Sequence, residues 1–423
     1  MKIVFALVLA TGTLLAQGRL LTLREAEETA LRQHPALAAA RLGAEAQSQV
    51  PQQIRSVQQP QISASTSAVG ATEQARIGAG AFQNPVIFSR LGIGLGYNQL
   101  LFDFGRTRLL AESATARAKA EGEFANTVQA QVLLQVRQAY FAALRTQAVL
   151  RVVDETVTSR QLVYDQVTAL ANAKLKSGLD LSFAEVSLSE AKLMAANARN
   201  DADAAQSDLA VALGLPQPEQ FTLQDPSSIE PVTEEASALI ANALQARPEL
   251  AMRRLDLAAA QRIVDAEGKL NRPTVSGVGA AGVIPVHGPR LEKDTYAAGG
   301  VVVGLNFLNG GLFKARQAEA ALRLRAAEQR VREWESRIAR DVSVAFLSAR
   351  NAFERLQLTG QLLNSATQAL NLAQSRYDLG LSSIVELSQA QLAKTAAEIQ
   401  QTSARYEYQA RKAILDYQSG AIR

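Results

Sequence analysis

The chain has no cysteine, which excludes disulfides, thiolate metal sites and an amino-terminal cysteine bearing lipid. It has only two histidines. His34 precedes a helix-opening proline and His287 lies in a loop, with no HExxH pattern and no carboxylate cluster beside either. A metal centre, an acid-base site and a catalytic constellation therefore have no candidate residues, and no cofactor is expected. Beyond the first residues no apolar run reaches the ~18 residues that a membrane-crossing helix needs. Charge of one sign is lacking as well. The 44 basic and 40 acidic residues interleave along helical segments, as on solvated helix faces, so nucleic acid is not an expected partner.

What is present is an apolar start and a duplication. Met1-Lys2 and the apolar run from Ile3 to about Ala16, closing in small residues, read as a signal peptide over 1–18. His34-Pro35-Ala36-Leu37 then recurs as Arg247-Pro248-Glu249-Leu250, and Pro60-Gln61-Ile62-Ser63 recurs as Pro273-Thr274-Val275-Ser276, both 213 positions on. Gly105 matches Gly311 at 206, and the glycine turns place Gly178 against Gly380 at 202. We read a first repeat over 19–213, a proline-rich connector over 214–235 and a second repeat over 236–423.

Each repeat reads as short helix, strand, loop, strand, very long helix, glycine turn and helix. Leu91-Gly92-Ile93-Gly94-Leu95-Gly96-Tyr97 alternates bulky and minimal residues, so Leu91, Ile93, Leu95 and Tyr97 share one strand face. After Phe102-Asp103-Phe104-Gly105 a helical pattern runs without proline to about Ala173, an expected length on the order of 100 Å. A second helix is expected from about Ser182 to Leu213. The second repeat gives strands at 273–284 and 297–308, a helix from Leu312 to about Leu379, and a last helix from Ser383 to about Gln418. From turn glycine to turn glycine the long helices span 73 and 69 positions, a difference of four. Gly277-Val278-Gly279-Ala280-Ala281-Gly282 satisfies G-x-G-x-x-G, but no helix start follows it, so it reads as a glycine-rich strand.

Four strands per chain are too few to close a barrel, and open edges are not borne in lipid, so several chains must pool strands. Twelve strands from three subunits is the smallest common closure with a lumen, although composition does not choose three over four.

The "HPAL" and "RPEL" starts, the "FDFG" and "LNGG" entries to the long helices, and the "SGLDLSFAE" and "YDLGLSSIVEL" turns resemble the TolC-like outer-membrane efflux proteins. The resemblance covers residues 20–420. It implies a mainly α fold with a small β part: a homotrimer whose four strands per chain form a shared 12-stranded transmembrane β-barrel, continued by an α-barrel of coiled helices across the periplasm. It implies an outer membrane location in a Gram-negative-type envelope. The protein is then a passive exit duct rather than an enzyme, with a periplasmic adaptor, an inner-membrane pump and outer-membrane lipid as its partners. Drug or metal efflux and type I protein secretion share that duct. An extracellular structural coiled coil or adhesin is the competing class, but it predicts sustained heptads rather than duplicated strand pairs.

The resemblance assigns residues. The adaptor would meet the tips Ser177-Gly178-Leu179 and Leu379-Gly380-Leu381, where left-handed glycine caps are expected. The periplasmic gate would use Tyr377, Glu386 and Gln389, with Glu185 beside Ala184, where the family has an aspartate, and with Ser382 in place of an arginine. Tyr97, Phe104 and Phe313 are expected at the membrane interface, and Phe102 and Phe307 at the junction of sheet and helix. A light-scattering mass of three chains is expected for the protein purified in detergent. A folded monomer would rule out pooled strands.

Overall fold

The computed structural model describes residues 19–72, 89–217, 219–226, 229–287 and 293–422. The expected signal peptide, the loop through Asn84-Pro85, and Pro289 lie outside the described residues. In chain order the elements are β1 (Arg19–Leu21), α1 (Leu23–Gln33), α2 (Pro35–Ser48), α3 (Val50–Arg55), β2 (Gln61–Val69), β3 (Arg90–Phe102), α4 (Arg106–Asn172), α5 (Gly178–Ala212), β4 (Phe221–Leu223), α6 (Ala236–Ala246), α7 (Pro248–Glu267), β5 (Thr274–Val286), β6 (Thr295–Gly304), α8 (Leu312–Asp378) and α9 (Ile384–Gln418). They form two compact units. One comprises Met1–Ala39, Asn126–Arg247 and Arg337–Arg423, the other Ala40–Ala125 and Pro248–Ser336.

The long helices α4 and α8 have 67 residues each, and the return helices α5 and α9 have 35 each. Every one of their ends therefore recurs at an offset of 206, and the four-residue difference expected from the turn glycines does not exist. Alanine, arginine, glutamate and glutamine fill these helices and proline is absent from them, so little opposes helix propagation.

In the first unit the core gathers Val136, Tyr140, Leu209 and Leu213 around Leu21 and Phe221. The connector is less irregular than its prolines suggest, because Phe221–Leu223 pairs in parallel with Arg19–Leu21. Three residues make a weak strand, and side chains hold it. The Tyr140 hydroxyl lies 2.9 Å from the Leu21 carbonyl and 2.7 Å from that of Gln224. Gln206 donates to the Phe221 carbonyl at 2.9 Å and accepts from its N–H at 3.2 Å. Burial pushes the Tyr140 phenol up to about 12, so it remains a donor throughout the physiological range.

Each return helix ends on a left-handed glycine, Gly214 at φ 75° and Gly420 at φ 80°. Both are seats for the bend between two short helices. A Cβ on Gly214 would lie 2.8 Å from the Cα of His34, and one on Gly420 would lie 2.9 Å from the Cβ of Ala246. The repeated His34-Pro35 and Arg247-Pro248 corners thus recur with the glycines beneath them.

In the second unit β2, β3, β5 and β6 form an antiparallel sheet in that order. The strands run to Val286 and begin at Thr295, so Pro285 sits in β5, while Phe307 lies past β6. Register puts Ala64, Leu95, Ala281 and Ala297 in one cross-strand row and Ile62, Tyr97, Gly279 and Gly299 in the next. Ser63, Ser65 and Ser67 lie opposite Gly96, Gly94 and Gly92 on the other face. The sheet is apolar on one side and small or polar on the other, as the alternation in β3 predicts. The glycine run 277–282 is strand β5.

Gly214→Ala and Gly420→Ala should each cost roughly 2–5 kcal/mol, from the left-handed backbone and the overlap together. Gly178→Ala, whose Cβ meets open space, should cost far less. The denaturant midpoints of the three variants check the order.

Candidate functional site

The turns joining α4 to α5 and α8 to α9 are built alike. At the end of α4, Leu175 N–H donates to the Leu170 carbonyl and Lys174 N–H to that of Ala171, each at 2.9 Å. At the end of α8, Leu381 N–H donates to the Arg376 carbonyl at 2.7 Å and Gly380 N–H to that of Tyr377 at 3.0 Å. These paired bonds are the helix-closing motif that needs one left-handed residue. Gly380 supplies it at φ 72°, but in the first tip Lys174 supplies it at φ 59°.

The next helix starts on a serine cap in both cases. Ser177 accepts from Asp180 N–H at 3.2 Å, and Ser383 accepts from Glu386 N–H at 3.4 Å. Asp180 accepts in return from the Ser177 N–H at 3.0 Å and hydroxyl at 2.8 Å. That backbone hydrogen bond, then the hydroxyl, holds the exposed carboxyl below its ordinary value.

Two expectations are corrected. Gly178 opens α5 directly after its cap, so it is neither a left-handed turn residue nor the counterpart of Gly380; Ile384 stands in its place in the second repeat. The α5 helix also starts at Gly178 rather than near Ser182. Identity of residue type misled the alignment, because the backbone requirement at position 174 is met by a lysine. The matching apolar knobs are then Leu175 and Leu381, 71% and 67% exposed, with Leu179 and Leu379 flanking them at 66% and 74%. Leu175 is the residue that sequence reasoning missed, and the serine-to-serine spacing of 206 is the signal that finds it.

Beneath the tips, Val167, Ala184, Tyr377, Ile384 and Leu387 pack as one apolar cluster. Tyr377 is buried, its hydroxyl has no hydrogen-bond partner among the described residues, and the Lys176 ammonium stands 4.3 Å from its ring centroid. The structure thus brings Ala184, rather than Glu185, to Tyr377. Glu185 and Gln389 are exposed. Glu386 gives its backbone N–H to the Ser383 cap, and its carboxylate lies 3.5 Å from Arg376. Ser382 has a buried hydroxyl without a partner among the described residues.

Phe102, at the end of β3, and Phe307, between β6 and α8, lie at the junction of sheet and helix as expected, and both are exposed. Phe313 is buried, which suits a core position rather than a surface girdle. Tyr97 is exposed on the apolar sheet face. Phe104, at a left-handed φ of 56°, packs its ring tilted against that of Phe102 with centroids 4.8 Å apart, and the Arg272 guanidinium lies 5.8 Å from the Phe104 ring.

The family described as "Outer membrane efflux protein" matches residues 27–215 and 239–420, nearly both repeats in full. Outer membrane protein TolC of Salmonella enteritidis is 22% identical over 358 residues, 80% of this chain and 71% of that protein. The toluene efflux pump outer membrane protein TtgC of Pseudomonas putida is 23% identical over 345 residues, 79% of this chain and 70% of that one. Among solved structures, a membrane protein from Pseudomonas aeruginosa superposes with a TM-score of 0.79 at 21% identity, covering 94% of this chain and 93% of that chain.

Lys174→Gly should stabilise the protein by about 1 kcal/mol, because a lysine pays for the left-handed backbone and a glycine does not. Gly380→Ala should cost a similar amount. A rise in thermal midpoint for the first and a fall for the second is the expected result.

Proposed function

The chain belongs to the outer membrane efflux protein family, and from that premise we propose that it is the passive duct through which a periplasmic adaptor and an inner-membrane pump discharge drugs or metal ions to the exterior. It resides in the outer membrane. The observation that carries the reading is the sheet. Among the described residues β2 and β6 each pair on one side only, and the face bearing Ile62, Ile93, Leu95 and Val301 is exposed in the single chain. An apolar face with open edges calls for closure by further copies, since hydrocarbon leaves no water to satisfy strand edges. Three copies give 12 strands, a barrel with a lumen.

In this proposal the exposed leucines of the two tips receive the adaptor. Such knobs on a capped, hydrogen-bonded turn are unusual unless something covers them. Tyr377, Glu386 and Gln389 lie within or beside the same turn and form the periplasmic mouth. The buried Tyr377 ring, under Lys176, ties α4, α5, α8 and α9 together below the tips. Secretion of proteins through the same duct would use the same contacts, and the cargo exported in cells distinguishes it.

Purified protein in a planar bilayer should give discrete conductance steps; none under any voltage would sink the duct. Leu175→Asp with Leu381→Asp should abolish drug or metal export in cells lacking other such ducts, while the variant still reaches the outer membrane. Unimpaired export would remove the tips as the docking surface.

A further inference from the structure

The helix α7 has two chemically different faces. On one, Arg254 pairs with Glu335 of α8 at 3.2 Å, while Arg262 pairs with Glu112 of α4 at 3.3 Å and with Asp265 at 3.6 Å. Each of these arginines reaches one neighbouring helix. On the other face lie Arg253, Asp256, Ala260, Ile263 and Glu267, at the three- and four-residue spacing of one helix side. There a single carboxylate touches both neighbours. Glu267 accepts from Arg106 of α4 at 3.2 Å and from Arg316 of α8 at 3.0 Å. Side chains of the two flanking helices thus meet over the middle one on this face, and the surface between them is hollowed into cavities.

That hollowed face is basic. Two adjoining cavities, of about 420 and 400 Å³, share Arg117, Ala260 and Arg323 among their lining residues. Arg106, Arg117, Arg253, Arg316, Arg323 and Arg330 surround them, against Asp256, Glu267 and Glu319. Among the described residues Arg117 and Arg330 have no ion pair, and the buried Nε–H groups of Arg106 and Arg253 have no acceptor. The floor is apolar, formed by Leu110, Ala260, Ile263 and Ala320. Guanidinium groups around an apolar floor suit a solute with a hydrocarbon or aromatic body and a carboxylate, sulfonate or phosphate head.

We propose that this face looks into the duct and is a transit site for amphiphilic organic anions. The inference rests on the duct reading and names a solute class for it. Copies of the face around the axis would make a positive belt, and a ring of arginines raises the local concentration of anions.

The absence of native cysteine makes the test direct. Ala260→Cys and, on the opposite face, Ala258→Cys are each placed in a planar bilayer and exposed to an anionic and a cationic methanethiosulfonate of similar size. For Ala260→Cys we expect a stepwise loss of conductance, at least about tenfold faster with the anionic reagent. That preference should collapse when Arg117→Glu and Arg323→Glu are added, and Ala258→Cys should label without loss of conductance. Equal rates for the two reagents at Ala260→Cys, or labelling there that leaves conductance unchanged, would overturn the transit site. Either result still shows conductance steps, so the duct reading survives it. Absence of steps from the unmodified protein overturns both.

Discussion

The backbone hydrogen bonds at the sheet edges are the constraint on which the remainder depends. β2 and β6 leave a row of N–H and C=O groups on their outer sides, and in hydrocarbon each unmet group costs several kcal/mol. No rearrangement within four strands removes those edges, because four strands cannot curl into a barrel. The apolar face through Leu95 and Tyr97 sharpens the conflict, since it favours lipid while the edges forbid it. Closure by copies of the same chain, as proposed above, would meet both demands at once.

Two repeats that play equivalent parts need helices of matched length, and the equal 67- and 35-residue pairs satisfy that. The common offset of 206 runs from the start of each long helix to the glycine after each return helix. Local chemistry at the ends maintains it: a left-handed residue, a serine cap and an acidic third residue at each tip, then a glycine under each proline corner. Sequence within these limits has drifted. Position 174 shows how far, because the turn has kept its backbone after losing, or never having had, its glycine.

Much of this was legible in the sequence, for identifiable reasons. Proline-free runs rich in helix formers gave the long helices to within a residue or two, since nothing local competes with them. The alternation in Leu91 to Tyr97 gave the faces of β3, because a strand's period of two leaves no other reading. The tip register was not legible from glycines, as a turn requires a backbone conformation rather than a residue type. Nor was the pairing of β1 with β4, whose three-residue strands carry no periodic signal and depend on Tyr140 and Gln206 reaching them from distant helices. Phe102 and Phe307 do lie where strand gives way to helix, as expected, whereas the burial of Phe313 was not legible, because exposure at such a junction depends on which way the chain leaves the strand.

The arginines illustrate a different gap between charge counting and chemistry. Basic and acidic residues nearly cancel over the chain, and that balance argues against a partner read by net charge alone. Yet helical periodicity can sort a balanced sequence into faces that are not balanced. On α7 the 254 and 262 side meets acids on both neighbours, whereas Arg117 and Arg330 approach the 253 and 260 side from flanking helices with too few carboxylates to neutralise them. Charges along a narrow passage act on a solute through the local field, which low-dielectric walls focus, so the distribution between faces governs passage where the total does not.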